Sequence, residues 1–324
     1  MKLQLKFGLI LSSISLLTFI SYAKAETKVV ASIKPIHSLI SYVMDGVGTP
    51  GLLVDGSSSP HTFQLKPSHA TMLQEADIVF WIGEDLESFL ETPLESIAKD
   101  AKQVTLMESE DIEMLKFREK NVFDDHDDHG DEHDDHDEHE EHGDEHDEHA
   151  HHDGHNHGEF DIHFWLDPEI AKTIVQIAAK EMSEIDPANA SKYDANAAKA
   201  LNELDQLIND TRGKINKDAT YVVFHDAYQY FEQRFGIEVI GALTVNPEVL
   251  PGAKQLAEIR EVIEHEGVNC LFSEPQFNPS IAETIASDTG VKAAVLDPLG
   301  AELEPGKDLY FDLISDMASS FESC

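Results

Sequence analysis

Three histidines occupy positions where a metal ion could bind. His61 follows a turn-rich Ser-Ser-Ser-Pro stretch between a predicted strand and a predicted helix, His163 comes shortly before a helix that begins at Pro168, and His225 ends a predicted strand. Open α/β sheets bind ligands beyond the carboxyl ends of their strands. Three neutral imidazoles are a common zinc-binding set. Separations of 102 and 62 residues match no local zinc-finger pattern, however, so a structural role for each histidine stays open.

The other histidines fall into two groups. Twelve of the 18 histidines lie within residues 124–158, together with 17 Asp and Glu residues and without Lys or Arg. Such a composition does not support a packed core and predicts a disordered loop with several weak, exchangeable metal sites. Outside the loop, we expect His37 to line a cleft without binding metal, and His69 and His265 to be exposed on helices.

The rest of the sequence alternates short apolar runs rich in β-branched residues with longer amphipathic runs. This alternation predicts two α/β domains with parallel-type sheets. The predicted strands are 29–33, 78–82, 221–224, 237–240, 270–273 and 291–296. The predicted helices are 67–76, 84–99, 168–185, 227–235, 252–266 and 279–287.

A third predicted feature joins the two domains. Residues 187–215 carry apolar residues at helical spacing, which predicts one long connecting helix of roughly 43 Å. The chain therefore divides into a signal peptide at 1–25, a first domain at 26–186 that contains the loop, the connecting helix at 187–215 and a second domain at 216–324.

The amino terminus has the composition of a secretory signal peptide. Lys2 and Lys6 precede an apolar run over residues 7–20, and Ala23-Lys24-Ala25 provides the small residues of a cleavage site. The run is shorter than the ~20 residues of a membrane span, although an uncleaved anchor remains the alternative. We therefore expect a periplasmic protein that begins at Glu26.

Charge and cysteine content narrow the possible partners. With 23 basic and 63 acidic residues the formal net charge is −40, which argues against binding to nucleic acid or anionic membranes.

Cys270 and Cys324 are the only cysteines, so no cysteine near the cleavage site can carry a lipid. In an oxidising compartment these two predict a disulfide, with two free thiols or an intermolecular bridge as the alternatives.

Several short segments resemble the metal-binding solute-binding proteins of ABC transporters. They are SPHTFQLKPS at 59–68, ADIV at 76–79, HFWLDP at 163–168, FHDAY at 224–228, FSEPQF at 272–277 and LDPLG at 296–300. The resemblance covers the whole mature chain, and a histidine-rich acidic loop between the first two ligand segments points to the zinc branch. It implies a monomeric, non-enzymatic protein that binds Zn²⁺ in the cleft between its domains and delivers the ion to an ABC permease.

The resemblance also implies a ligand set. His61, His163 and His225 fall where the family places its three histidine ligands, and Asp297 falls where manganese and iron relatives place a carboxylate. Zinc relatives often use water or another acid instead. One zinc branch has a Glu before the first histidine, but this sequence has Pro60 there, so we expect Asp297 as the fourth ligand. The 274–277 segment is interpreted as a loop that shapes the site without a ligand role.

Two other functions stay open at this stage. A three-histidine zinc site with a bound water can generate hydroxide, so a zinc hydrolase or hydratase is one alternative. A surface zinc scavenger or adhesin that acts without a permease is the other.

Overall fold

The computed structural model describes residues 27–118, 120–122, 158–247 and 249–324. The predicted signal peptide and nearly all of the histidine-rich stretch lie outside these residues. Among the described helices, none combines the length and the apolar composition that a membrane span needs.

The first half of the chain forms a four-stranded parallel sheet in the order β2-β1-β3-β4. Its strands are β1 (Val29–Ile33), β2 (Gly51–Val54), β3 (Ile78–Trp81) and β4 (Lys102–Thr105). The helices of this half are α1 (Lys34–Val43), α2 (Pro67–Gln74), α3 (Ser88–Ser96) and α4 (Pro168–Ile185). Every residue of β1 and β3 is buried, because helices cover both faces of a parallel sheet.

A long helix leads to the second half. Helix α5 (Ala190–Lys214) packs against α4 and α1, and its 25 residues span about 37 Å. The second half contains the strands β5 (Thr220–His225), β6 (Glu238–Thr244), β7 (Cys270–Ser273) and β8 (Lys292–Val295). Its helices are α6 (Gln229–Phe235), α7 (Ala253–His265), α8 (Ser280–Thr289) and α9 (Leu309–Ser323). The sheet order is β6-β5-β7-β8, again parallel.

These sheets confirm the predicted fold class of two α/β units joined by a long helix. The structure differs from the sequence prediction in some elements. Helix α1, which is absent from the predicted helices, begins directly after β1 and contains His37. Helix α3 is shorter than predicted, and strands β2 and β4 were missed.

The two halves share one hydrophobic core. The larger of two clusters of buried apolar side chains includes both halves, from β1 to Phe321 in α9, and the smaller one lies within the second half. Polar contacts add to it, since the buried Lys34 Nζ donates to the carbonyl oxygens of Gly300, Ala301 and Leu303 at 2.8–3.0 Å. We use the name interlobe bonds for these three hydrogen bonds of Lys34 and for the two hydrogen bonds of Trp165 described in the next paragraph.

Trp165 connects the halves next to the strand ends. Its Nε1 donates to the carbonyl oxygen of Pro298 at 2.9 Å, and its own carbonyl oxygen accepts the hydroxyl of Tyr310 at 2.7 Å. Arg234 of α6 also pairs with Asp167, at 2.6 and 2.7 Å, and Asp167 accepts the Glu169 N–H at the start of α4. The carboxyl ends of the two sheets are thereby held against each other.

The disulfide prediction is confirmed. Cys270 at the start of β7 is bonded to Cys324 at the end of the chain, with a Cα–Cα distance of 5.9 Å. The bridge attaches the end of α9 to the strand whose other end reaches the candidate site.

Candidate metal centre

The structure brings His61, His163 and His225 together. One ring nitrogen of each lies within 4.8 Å of the others, and this is the one such group of His, Cys, Asp and Glu side chains within the described ranges. His225 is the last residue of β5, and His163 precedes the short turn Phe164–Leu166 that leads into α4. His61 lies in the 3-10 helix Pro60–Thr62, after β2.

The spacing of the imidazoles suits a metal ion. The Nε2 atoms of His163 and His225 are 3.4 Å apart, and the ring centroids of the three residues are separated by 5.2–5.9 Å. Two Zn–N bonds of 2.0–2.1 Å at a tetrahedral angle place their nitrogens about 3.4 Å apart. The pair therefore already has the separation that a shared zinc ion requires.

Two buried carboxylates orient this pair. Asp161 Oδ1 lies 2.8 Å from His163 Nδ1 and also accepts the His163 N–H. Glu274 Oε1 lies 2.7 Å from His225 Nδ1. Because an ionised carboxylate only accepts hydrogen bonds, each Nδ1 carries the proton and each Nε2 presents its lone pair to the cavity.

The carboxylates are themselves held in place. The Tyr230 hydroxyl donates to the Asp161 carbonyl oxygen at 2.7 Å, and Gln229 Nε2 lies 3.3 Å from Asp161 Oδ2. Burial raises the pKa of Tyr228, beside Glu274, far above its usual value, so its hydroxyl stays protonated. Burial also raises the pKa of Asp226 to about 6. The positive charge of the nearby Arg118 guanidinium acts in the opposite direction, because it favours the ionised carboxylate.

Glu274 lies at the topological switch point of the second sheet. In the sheet, β6 pairs with one edge of β5 and β7 pairs with the other edge, so the order of the strands reverses between β5 and β7. His225 and Glu274 end or follow these two neighbouring strands, at the place where open α/β sheets bind ligands. This rule could have identified Glu274 from the sequence, but the role of Asp161 depends on a loop that bends back onto His163.

Asp297 is not brought into the group of three histidines. Its Oδ1 accepts the N–H groups of Leu299, Gly300 and the Gln276 side chain at 2.8–3.0 Å, and its Oδ2 accepts the Ala301 N–H at 2.5 Å. Direct coordination, as expected from the resemblance, would require this carboxylate to leave these donors.

The three remaining described histidines lie elsewhere. His37 is buried in α1 with its Nε2 3.1 Å from the Pro50 carbonyl oxygen, and burial lowers its pKa, which keeps the ring neutral. His69 accepts the Lys66 N–H at the start of α2, and His265 is exposed at the end of α7. None of them belongs to the group formed by His61, His163 and His225.

A small cavity adjoins the three imidazoles. It has a volume of about 10 Å³ and is also bordered by Glu274, Gln276 and Trp165. Three residues of the 274–277 segment, Glu274, Gln276 and Phe277, therefore border this cavity.

Comparison with known proteins identifies the relatives of this chain. The family described as "ZnuA: Zinc-uptake complex component A periplasmic" matches residues 29–324. The high-affinity zinc uptake system protein ZnuA of Brucella abortus (strain 2308) is 45% identical over 311 residues, which cover 94% of this chain and 93% of that protein. The protein of the same name from Yersinia pestis is 35% identical over 308 residues, covering 93% and 92%.

Solved structures share the fold. A crystal structure of ZnuA superposes with a TM-score of 0.72 at 23% identity, covering 92% of this chain and 98% of that one. The laminin-binding protein Lmb of Streptococcus agalactiae, described as bifunctional with adhesin and metal transporting activity, gives 0.69 at 21% identity, covering 91% and 99%.

Proposed function

The chain belongs to the ZnuA family of periplasmic zinc-uptake components, and from this premise we propose that it captures Zn²⁺ and delivers the ion to an ABC-type permease in the cytoplasmic membrane. The observation that carries the proposal is the convergence of three imidazoles, two of them 3.4 Å apart at Nε2 and backed by buried carboxylates. We further propose that residues 1–25 are removed on export and that the protein acts as a monomer.

The proposed protein ligands are His61, His163 and His225. Imidazole nitrogen suits zinc, and the Nδ1 bonds to Asp161 and Glu274 make the Nε2 atoms of His163 and His225 better donors. Manganese prefers carboxylate and other oxygen ligands, so a site of three imidazoles favours zinc over manganese.

The alternatives are weaker. The family and the curated relatives are zinc uptake components, so the hydrolase or hydratase interpretation is not retained. An adhesin function is described for a structural neighbour with 21% identity, and that similarity supports the fold alone.

Metal entry and release need no wide opening of the two halves in this proposal. The continuous core, the interlobe bonds and helix α5 hold the sheets together. We expect zinc to enter beside His61, which is less buried than the other two histidines, and to leave by the same side at the permease.

The test is a zinc competition titration of metal-free protein against a chromogenic chelator. The variants His61→Ala, His163→Ala and His225→Ala should each bind zinc at least about tenfold more weakly, which corresponds to ~1.4 kcal/mol. His265→Ala, an exposed histidine on α7, is the matched control and should bind as the wild type does.

The histidine-rich loop must be removed from all variants, because its own zinc equivalents would mask the loss. Unchanged tight binding in the triple histidine variant without residues 124–158 would rule out this site. Delivery is tested separately, by zinc uptake into vesicles that contain the permease.

A further inference from the structure

The exposed large apolar side chains of the described residues gather at one end of the molecule. They are Phe160, Val249, Leu250 and Val295, which are 37%, 59%, 78% and 54% exposed, whereas the other large apolar side chains in those ranges are at least partly buried. Single exposed apolar residues need no explanation, but a group of them on one face commonly marks a surface that another molecule covers.

The second sheet places three of these residues on either side of the metal centre. All four of its strands are parallel and end at the same edge, where His225 ends β5, Thr244 pairs with it at the end of β6, and Val295 ends β8. Val249 and Leu250 belong to the loop that follows β6. Three strand spacings separate β6 from β8, so these apolar residues border a face roughly 14 Å wide that contains the end of β5.

The loop after β6 has a defined conformation. Thr244 Oγ1 donates to the carbonyl oxygen of Asn246 at 2.6 Å and accepts the Asn246 N–H at 3.1 Å. The Val249 N–H donates to the same carbonyl oxygen at 3.1 Å, which closes a turn. Residues 245–253 contain one charged residue, Glu248, in a chain that is 27% charged. The loop therefore presents an apolar tip from a hydrogen-bonded base.

This loop also adjoins the side of the metal centre on which zinc is expected to leave. A second cavity, of about 20 Å³, is bordered by His61 and His163 and also by Phe160, Val245 and Pro247. Any partner that receives the ion beside His61 must approach this cavity. Such a partner would cover the loop and Phe160 at the same time.

We propose that Val249 and Leu250 dock into an apolar recess on the extracytoplasmic surface of the permease, with Val295 at the far edge of the same contact. The inference rests on the proposed function and adds the surface through which it would operate. A second copy of the chain is a poorer occupant, because it would close the side by which zinc leaves. An anionic lipid surface is disfavoured by the formal net charge of −40.

The contact has a consequence for how recognition and metal binding are divided. The tip residues are not among the proposed zinc ligands, so docking strength and zinc affinity are set by different side chains. Apolar contacts are also screened little by salt, unlike contacts between exposed charges. The tip would therefore hold the protein on the permease at ionic strengths that weaken charge attraction.

The test measures binding of the zinc-loaded mature protein to the permease in phosphatidylcholine nanodiscs by biolayer interferometry. Leu250→Ser should bind about tenfold more weakly, because it removes the most exposed apolar side chain from the contact, and the double variant with Val249→Ser should bind more weakly still. Leu250→Met keeps the apolar volume and should bind within about twofold of the wild type. Ala195→Ser, an exposed apolar residue on α5, is the control and should bind as the wild type does.

Zinc affinity of the same variants, measured by chelator competition, should stay within about twofold of the wild type, since the proposed ligands are unchanged. Weaker zinc binding would assign the loop to the metal centre and overturn the inference, as would unchanged permease binding in the double variant. Wild-type binding to nanodiscs without permease, or dimers in sedimentation that the Ser variants abolish, would also overturn it, in favour of lipid or a second copy. A wild type that binds zinc but not the permease would instead reject the proposed delivery before any variant is compared.

Discussion

At the scale of single residues, we expect the proposed metal centre to depend on the carboxylates that bond to the imidazole Nδ1 atoms as well as on the imidazoles. Asp161 and Glu274 are 2% and 3% exposed, and each accepts both the backbone N–H and the Nδ1–H of the histidine it supports. Such partners commonly change metal affinity by 10–100-fold when they are replaced.

We expect Asp161→Asn and Glu274→Gln each to weaken zinc binding by about tenfold, because a neutral amide oxygen forms a weaker bond to Nδ1–H than a carboxylate does. Chelator competition measures the affinity, and Glu159→Gln, an exposed neighbour, serves as the control. Affinities within twofold of the wild type for both variants would show that the carboxylates only fill space.

Residue types near strand ends marked the three histidines as candidate ligands and left a structural role open, and they gave no sign of Asp161. His225 and His163 stand out because imidazole is uncommon beside buried apolar runs. Asp297 was assigned by resemblance alone, and its four N–H donors become visible only when the 297–301 turn is folded. The position of Gln276 beside the cavity depends on that same turn and on the pairing of β5 with β7, which no local pattern encodes.

At the scale of elements, the sequence predicted best where strands and helices are buried or clearly capped. Strands β1 and β7 and helix α4 have the predicted bounds, since β1 is fully buried and α4 begins with the Asp167 cap followed by Pro168. Strand β4 was missed because it is a partly exposed edge strand with the polar sequence Lys-Gln-Val-Thr. Its pairing with β3, and not its composition, makes it a strand.

The turn between β3 and α3 predicts a pH dependence of stability. Glu87 is buried there, its Oε2 accepts the N–H groups of Ile82 and Gly83 at 2.9 and 3.0 Å, and burial raises its pKa to about 7. The folded protein therefore holds this proton more tightly than the unfolded chain. The contribution of Glu87 to the free energy of unfolding is fully present below the unfolded pKa near 4.5 and is lost as the pH rises through 7. The loss amounts to roughly 3 kcal/mol at most.

We expect Glu87→Gln to flatten the pH dependence of stability. The free energy of unfolding of the variant, relative to that of the wild type, should be higher at pH 8 than at pH 5. Urea unfolding of the metal-free proteins at several pH values between 5 and 8 measures the free energies. Glu91→Gln, on the exposed side of α3, should follow the wild type. Parallel pH profiles for the wild type and Glu87→Gln would contradict the assignment.

The disulfide supports a second prediction about elements. Cys270 and Cys324 are separated by 54 residues, and in the chain-entropy model closing such a loop stabilises the fold by roughly 4 kcal/mol, less any strain. The double variant Cys270→Ala and Cys324→Ala should lose about 2–4 kcal/mol in urea unfolding and keep zinc affinity within threefold. Two reactive thiols per chain in unfolded, unreduced wild type would show that the bridge does not form.

At the scale of the whole molecule, the acidic histidine-rich stretch should add capacity without adding selectivity. Its 12 histidines and 17 acids can bind divalent cations only at the expense of chain entropy, so we expect several weak sites. Deletion of residues 124–158 should remove these equivalents in calorimetric titration and leave the tight site within about threefold of its original affinity.

A length-matched control separates the two residue types of this stretch. If its 12 histidines are replaced by Asn and its acids are kept, the weak equivalents should fall while the chain length stays the same. Equal stoichiometry in the intact and deleted proteins would mean that these histidines are incidental. Loss of the tight phase on deletion would place the primary site in the stretch.

The bonds from Lys34 and Trp165 to the 298–303 turn have a practical meaning for anyone who wants to use this protein as a zinc reporter. Two fluorophores placed on opposite halves would change their separation little on zinc binding, so energy transfer between them would give a weak signal. A single environment-sensitive dye attached near Asn278, on the loop that carries Gln276, would instead respond to zinc binding at the adjacent cavity. The scaffold is suited to sensing by local chemistry and not by shape change.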